Sequence, residues 1–239
     1  MLVTTKAIVI SSVKYSEADL IVKCFTEASG IKTYLLKGIR KSKKGKLRAS
    51  QFQPLSLLEI TANHRDKGSL EYIKEAKAYY SFQSLHYQIV KSSLVLFLSE
   101  VLKQTIQEEE KNHTLFKFLE HSFMWLDQNE APPNFHLLFL LNLSDHFGFY
   151  PDTGSTDKPV FNLAEGIFQD ETTSLYCASG IETTGLKQLF GLNFDSLDTI
   201  KLTKQDRAQC LKILLLYYQL HIYGFKTPKS LAVLNQIFD

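Results

Sequence analysis

The most distinctive stretch of the 239-residue sequence is KGIRKSKKGKLRAS, residues 37–50. Seven Lys or Arg side chains fall within the twelve positions from Lys37 to Arg48, and no Asp or Glu interrupts them. Because like charges this close repel one another, folding alone gives no reason to keep them together. The stretch predicts a site that contacts the phosphates of a polyanion. The candidate residues are Lys37, Arg40, Lys41, Lys43, Lys44, Lys46 and Arg48.

Nucleotide hydrolysis is not supported by this stretch. Six residues separate Gly38 from Gly45, where a phosphate-binding Walker loop has four. Lys46 is followed by Leu47, although such a loop needs a Ser or Thr there to bind magnesium. A GxGxxG dinucleotide motif is also absent.

Metal and nucleophile motifs are missing as well. The seven histidines form no HExxH motif, the three cysteines form no CxxC pair, and no GxSxG is present. The run Glu108–Glu110 is the nearest approach to a carboxylate cluster, and we interpret it as a solvated charge run. We therefore expect a protein that is not an enzyme.

Charge is distributed unevenly along the chain. Residues 1–78 carry fifteen Lys or Arg against seven Asp or Glu, whereas residues 79–239 carry twelve against eighteen. This asymmetry predicts a polyanion-binding part joined to a part with another role. Three widely spaced cysteines and the absence of a 20-residue apolar run predict a cytoplasmic protein without membrane segments.

The pattern of apolar residues changes near residue 80. Short β-branched runs at 7–13, 18–26, 32–39, 55–63 and 69–76 predict five strands, with a bend at Ser29-Gly30. Five strands without long helices between them suggest a small barrel of the OB type, and the basic stretch is the excursion between strands three and four. We thus predict an α+β protein with an OB-fold at 1–78 and a mostly helical domain at 79–239.

The second part reads as helices around one irregular region. Apolar periodicity predicts helices at 85–107, 112–128, 132–148, 203–224 and 229–238. Asn112 and Thr203 are predicted as N-caps, the latter with Asp206 three residues on. Residues 150–184, rich in Gly, Asp and Thr, predict a loop-rich insertion.

Small barrels commonly bind nucleic acid with cationic groups on phosphates and aromatic rings on bases. Tyr15, Tyr34, Phe52 and Tyr72 are candidate stacking residues, but the strand alternation does not show which of them point outward. The simpler interpretation of the basic stretch is a solvated loop or linker. Its predicted attachment to strands at both ends favours a defined binding surface.

The segments KAIVISSVKYSEADLIVKCFTEASG and LLKGIRKSKKGKLRASQFQPLSLLEI together resemble the RecO family, the bacterial recombination mediators of the RecF pathway. The matching features include Lys6, Tyr15, Glu17 and Asp19, then Lys37-Gly38 with Arg40-Lys41. GSLEYIKEAK and the C-terminal YYQLHIYGFKTPKSLAVLNQIF also fit, so the resemblance covers most of the chain.

The resemblance implies an N-terminal OB-fold and a helical domain. It implies binding of single- and double-stranded DNA, annealing of complementary strands, and work with RecR and the C-terminal tail of single-stranded-DNA-binding protein to load RecA. The seven basic residues match the cationic loop that the family uses on DNA, which places the protein at the nucleoid. The alternative is an OB-fold protein that binds RNA or DNA without annealing it.

One departure from the family concerns zinc. Many members carry two CxxC pairs in the helical domain, whereas the corresponding residues 147–179 contain Cys177 alone. One thiolate cannot complete a tetrahedral site, so we predict no structural zinc and a degenerate zinc-finger region. Phe161 and Phe168 are expected to form a small core in its place.

Overall fold

A computed structural model of the protein describes residues 1–41, 47–64, 70–107, 110–130 and 132–238. The chain forms two compact units, Met1–Asn129 and Glu130–Asp239. The first unit contains the first five strands together with two helices. The predicted boundary after residue 78 coincides with the change from strands to helices inside this unit. As a domain boundary it stays a prediction.

The first unit is built on a five-stranded antiparallel sheet in the order β3-β2-β1-β4-β5. Its strands are β1 (Leu2–Lys14), β2 (Leu20–Thr26), β3 (Gly30–Leu36), β4 (Leu57–Asn63) and β5 (Tyr72–Tyr80). The long strand β1 lies at the centre, where Ala7 pairs with Thr26 on one side and Leu58 on the other. The tight β2–β3 turn depends on Gly30, whose φ of 61° favours glycine and confirms the predicted bend.

The two edges of the sheet approach each other at Glu71, just before β5. The backbone N–H of Leu35 donates to the Glu71 carbonyl at 2.9 Å, and the Glu71 N–H donates to the Thr33 carbonyl at 2.9 Å. This parallel bridge between Tyr34 and Glu71 joins β3 to the start of β5. The predicted α+β class with an OB-like sheet is therefore confirmed, although the barrel is not fully closed.

Two helices complete the first unit, α1 (Ile89–Thr105) and α2 (His113–Gln128). Asn112 is the N-cap of α2, as predicted, because its side-chain oxygen accepts from the Leu115 N–H at 3.0 Å. Helix α1 buries Leu94, Phe97, Leu98 and Val101. Its length and apolar character agree with the predicted buried helix, with observed ends a few residues inside the predicted ones.

An ion cluster ties α2 to the sheet. The carboxylate of Glu120 accepts from Lys6 Nζ at 2.9 Å, Tyr79 Oη at 2.8 Å and Lys117 Nζ at 2.8 Å. Lys6 comes from β1 and Tyr79 from β5, so one side chain of α2 joins three elements. Burial alone would raise the pKa of Glu120, but the three hydrogen bonds outweigh it and lower that pKa to about 2.

We expect Glu120→Gln to destabilise the first unit by about 2 kcal/mol at neutral pH. Since the folded pKa lies below the unfolded one, the contribution is present above pH ~4.5 and is lost as the pH falls toward ~2. Urea unfolding followed by fluorescence of Trp125, the single tryptophan and a residue of α2, measures it. Equal stability of the two proteins at neutral pH would contradict the prediction.

The second unit is helical, with a small sheet inserted between its first two helices. Its helices are α3 (Phe135–Asp145), α4 (Ile181–Leu189), α5 (Lys204–His221) and α6 (Leu231–Phe238). Thr203 and Asp206 form the predicted capping box of α5, with Asp206 N–H donating to Thr203 Oγ1 at 3.2 Å and Thr203 N–H to Asp206 Oδ2 at 3.0 Å.

The predicted loop-rich insertion contains more regular structure than its composition indicates. Three short strands, β6 (Val160–Asn162), β7 (Ile167–Gln169) and β8 (Cys177–Ser179), pair in the order β7-β6-β8. Helix α4 begins immediately afterwards and was not predicted, because its Thr and Gly residues weaken the helical signal. Over the ranges that the structure describes, no helix is long and apolar enough to cross a membrane.

Candidate nucleic-acid interface

The structure places the basic segment, residues 37–48, between β3 and the 3₁₀ helix Ala49–Phe52 that precedes β4. Four of the seven predicted side chains are described, and all four residues are exposed: Lys37, Arg40, Lys41 and Arg48. The other three, Lys43, Lys44 and Lys46, lie outside the described residues. The predicted position between strands three and four is thus observed, and the role of the seven residues stays a prediction.

Apolar side chains attach both ends of the basic segment to the sheet. Ile39, between Lys37 and Arg40, is buried in the barrel core. At the other end Leu47 packs against the same core, and Phe52 lies inside it. The four described basic residues, Lys37, Arg40, Lys41 and Arg48, lie beside these anchors and remain at the surface. The segment is therefore an attached part of the first unit, which argues against a free linker.

A second set of contacts joins the basic segment to the turn between β1 and β2. The Gly38 N–H donates to the Asp19 carboxylate at 2.8 Å, and the Arg40 N–H donates to the Ala18 carbonyl at 3.0 Å. The hydrogen bond from Gly38 lowers the pKa of Asp19, so this carboxylate stays ionised at neutral pH. Gly38 has a φ of 66°, which a side chain would strain. These contacts order the start of the segment.

The same turn also neutralises part of the segment. Glu17 Oε2 accepts from Lys41 Nζ at 3.0 Å, and the Glu17 carbonyl accepts from the Arg40 guanidinium at 2.9 Å. Sequence reasoning treated both basic residues as open to phosphates and missed these partners. Glu17 and Asp19 were the available signal, because they are acidic residues at the predicted start of the second strand and acidic side chains attract a basic stretch.

We expect Glu17→Gln to raise affinity for single-stranded DNA about fivefold at ~0.1 M salt, the size of one added phosphate contact. Lys41 would lose an exposed ion pair, worth little to stability, and gain freedom to contact a phosphate. Filter binding or fluorescence anisotropy measures the affinity. Glu59→Gln is the matched control, because it also removes an ion pair of the sheet, with Lys77 at 2.7 Å. An equal gain in DNA affinity in Glu17→Gln and Glu59→Gln would contradict an effect that acts through Lys41.

The structure separates the four aromatic candidates into two pairs. Tyr34 is 0% and Phe52 1% exposed, so both are core residues. Tyr34 Oη also lies 2.8 Å from His64 Nε2, which satisfies its hydroxyl inside the barrel. Tyr15 is 63% and Tyr72 36% exposed. Lys37 Nζ lies 5.6 Å from the Tyr72 ring centroid, and Tyr15 begins the turn whose Asp19 accepts from Gly38.

Together, the five-stranded OB-like sheet, the exposed cationic segment attached to it and the helices that follow define the class: an α+β protein of the OB type with a basic surface. Comparison with protein families specifies which one. Residues 1–82 match the family model for the recombination protein O N terminal, and residues 86–231 match that for the recombination protein O C terminal. The chain belongs to the RecO family.

Full-length relatives agree with this assignment. The chain is similar to proteins named DNA repair protein RecO from Christiangramia forsetii, at 54% identity, and Flavobacterium psychrophilum, at 45%. A third, from Bacteroides fragilis, is 37% identical. In each case the match covers 100% of this chain and 100% of the relative.

The insertion does not fit the zinc site found in many family members. Cys177 Sγ has hydroxyl neighbours, Ser174 Oγ at 3.7 Å and Thr173 Oγ1 at 3.9 Å, and a single thiol with hydroxyls is not a tetrahedral zinc donor set. Across the described part of the chain, no three His, Cys, Asp or Glu side chains come together as a metal site. Phe161 and Phe168 are buried with ring centroids 4.9 Å apart, so the expected aromatic contact is present.

Proposed function

We propose that this protein is a DNA repair and recombination mediator that binds single- and double-stranded DNA and anneals complementary strands. It works in the cytoplasm, at the nucleoid, without covalent catalysis and without structural zinc. The partners are RecR and single-stranded-DNA-binding protein, and the outcome is loading of RecA onto DNA. Membership of the RecO family supports the repair role, as do full-length relatives named DNA repair protein RecO.

The observation that carries the proposal is the attached basic segment. Its four described cations, Lys37, Arg40, Lys41 and Arg48, are exposed, while Ile39 and Leu47 fix its ends to the barrel. Annealing brings two polyanions together, and their mutual repulsion opposes it. Cations that neutralise phosphates lower this repulsion and release counterions, which favours the duplex without any bond being made or broken.

An annealing assay tests this function directly. Two complementary labelled oligonucleotides are mixed, one coated with the cognate single-stranded-DNA-binding protein, and duplex formation is followed with and without the full chain. We expect acceleration that disappears at high salt, since phosphate contacts weaken with ionic strength. Tight DNA binding without acceleration, also in the presence of RecR, would contradict the annealing function and favour a simple OB-fold binder.

The second unit contains a cleft suited to an acidic, apolar peptide. It has a volume of about 120 Å³ and lies between α3, α5 and α6. Lys204 and Arg207 line it on α5, and buried Leu211 and Leu234 supply apolar surface. We propose this cleft as the binding site for the acidic C-terminal tail of single-stranded-DNA-binding protein. Lys226 and Lys229, which precede α6, do not line it.

We expect Lys204→Glu to weaken binding of a fluorescent peptide with the sequence of that tail about tenfold, the loss of one charge-assisted contact. Glutamate in the first turn of α5 suits the helix dipole, so the fold is retained. Lys229→Glu makes the same charge change outside the cleft and is expected to bind normally. A larger loss of peptide affinity in Lys229→Glu than in Lys204→Glu would contradict this site and place the peptide near the start of α6.

A further inference from the structure

We propose that Tyr15 and Tyr72 provide stacking surfaces for unpaired bases, and that these rings favour single-stranded over double-stranded DNA. The inference rests on the proposed DNA-binding function and names the part of the substrate that the two rings recognise. It requires exposed rings, an ordered support, and a location beside the phosphate-binding cations. Each of these is present.

Exposure distinguishes this pair from the other aromatic residues of the sheet. Tyr34 and Phe52 fill the barrel core, whereas Tyr15 keeps 63% and Tyr72 36% of its surface exposed. Successive side chains of a strand point to opposite faces. Because the Ile73 side chain is buried in the core, its neighbour Tyr72 lies on the outer face of β5. An exposed aromatic ring near cationic side chains has the combination of groups with which proteins bind single-stranded nucleic acid.

The two rings are attached to the same ordered region. Tyr15 begins the turn between β1 and β2, where its N–H donates to the Asp19 carbonyl at 3.2 Å. Asp19 in turn accepts from Gly38 in the basic segment. Tyr72 lies beside the segment from the other strand, with Lys37 Nζ 5.6 Å from its ring centroid. Tyr72 therefore adjoins the basic segment directly, and Tyr15 begins the turn that bonds to the start of that segment.

Their places in the topology agree with how OB-type sheets bind oligonucleotides. The loops between strands one and two and between strands four and five usually flank the bound strand. Tyr15 is the first residue after β1, and Tyr72 is the first residue of β5. Bases expose their faces for stacking only when they are unpaired, whereas phosphates are present in both forms of DNA. The tyrosines thus add selectivity to a cationic segment that attracts either form.

Replacing each tyrosine with alanine tests these stacking surfaces. We expect Tyr15→Ala and Tyr72→Ala each to weaken single-stranded DNA binding about tenfold, the size of one lost base stack. Duplex affinity and the salt dependence should stay unchanged, because the cations remain. Tyr15→Phe and Tyr72→Phe keep the ring and should bind normally. Tyr87→Ala is the matched control, since Tyr87 is also exposed but lies just before α1.

A double-mutant cycle with the DNA makes the result independent of folding. An oligonucleotide with abasic positions should bind the unsubstituted protein about a hundredfold more weakly than the intact oligonucleotide does. The Tyr15→Ala/Tyr72→Ala protein should bind the abasic and the intact oligonucleotide with equal affinity. Equal abasic losses in both proteins, or equal losses for single strand and duplex, would overturn the stacking surfaces while leaving DNA binding intact. Failure of the unsubstituted protein to bind either DNA would overturn the proposed function itself.

Discussion

Replacing Lys43, Lys44 and Lys46 with alanine is expected to lower affinity for single-stranded DNA about a hundredfold at ~0.1 M salt. If the basic segment contacts about five phosphates, log affinity falls with log salt at a slope near −3.5. Removing three contacts should reduce that slope to about −1.4 and slow annealing in parallel. Anisotropy titrations between about 50 and 200 mM salt measure the slope.

The choice of these three lysines follows from the described part of the segment. Arg40 and Lys41 also bond to Glu17, so their removal would alter the turn between β1 and β2 as well as the charge. A triple variant of Lys111, Lys201 and Lys212, which are exposed lysines outside the basic segment, is the control for net charge. An unchanged slope in the Lys43, Lys44 and Lys46 variant would show that the segment does not contact the phosphates of DNA.

The largest stability effect is expected from Asp127, near the end of α2. Its carboxylate accepts from three consecutive backbone N–H groups, those of Gln83 at 3.0 Å and of Ser84 and Leu85 at 2.8 Å. Burial alone would raise the pKa of Asp127, but these backbone hydrogen bonds outweigh it and lower that pKa. The buried Lys91 Nζ donates to the Asp127 carbonyl at 2.9 Å. One residue thus holds the connection between β5 and α1.

We expect Asp127→Ala to destabilise the first unit by about 3–5 kcal/mol. The substitution leaves three backbone N–H groups without their acceptor, that of buried Leu85 among them, and removes the negative charge near Lys91. Urea unfolding followed by Trp125 fluorescence measures the loss, because that tryptophan lies in the same helix. Asp206→Ala, which breaks only the exposed capping box of α5, should cost clearly less. A loss below ~1 kcal/mol for Asp127→Ala would show that water replaces the carboxylate.

Local patterns account for the elements that sequence analysis predicted. The strands from β1 to β5, the long helices and the caps at Asn112 and Thr203 depend on residues a few positions apart, so periodicity and cap chemistry reveal them. The missed helix α4 is short and contains Thr and Gly, which weaken the same signal. The ends of elements shifted by a few residues because end contacts depend on the surrounding fold.

The sequence predicted the charges of the candidate site but only part of its geometry. A run of seven cations is visible in the chain, and so is its position between two predicted strands. The pairing of Lys41 with Glu17 was not visible, because 24 positions separate them and only the sheet brings them together. Likewise, blurred alternation could not show that Tyr34 is buried while Tyr72 is exposed.

By itself, the sequence determined the α+β class, the order of β1 to β5 and of the long helices, the basic segment and the single cysteine of the insertion. These follow from composition and from patterns among residues that are close in the sequence. Only the tertiary structure decided which cations are paired, which tyrosines face solvent, and that Asp127 and Glu120 join strands to helices. Those outcomes depend on residues 24 to 114 positions apart, whose meeting requires the folded sheet and its packing.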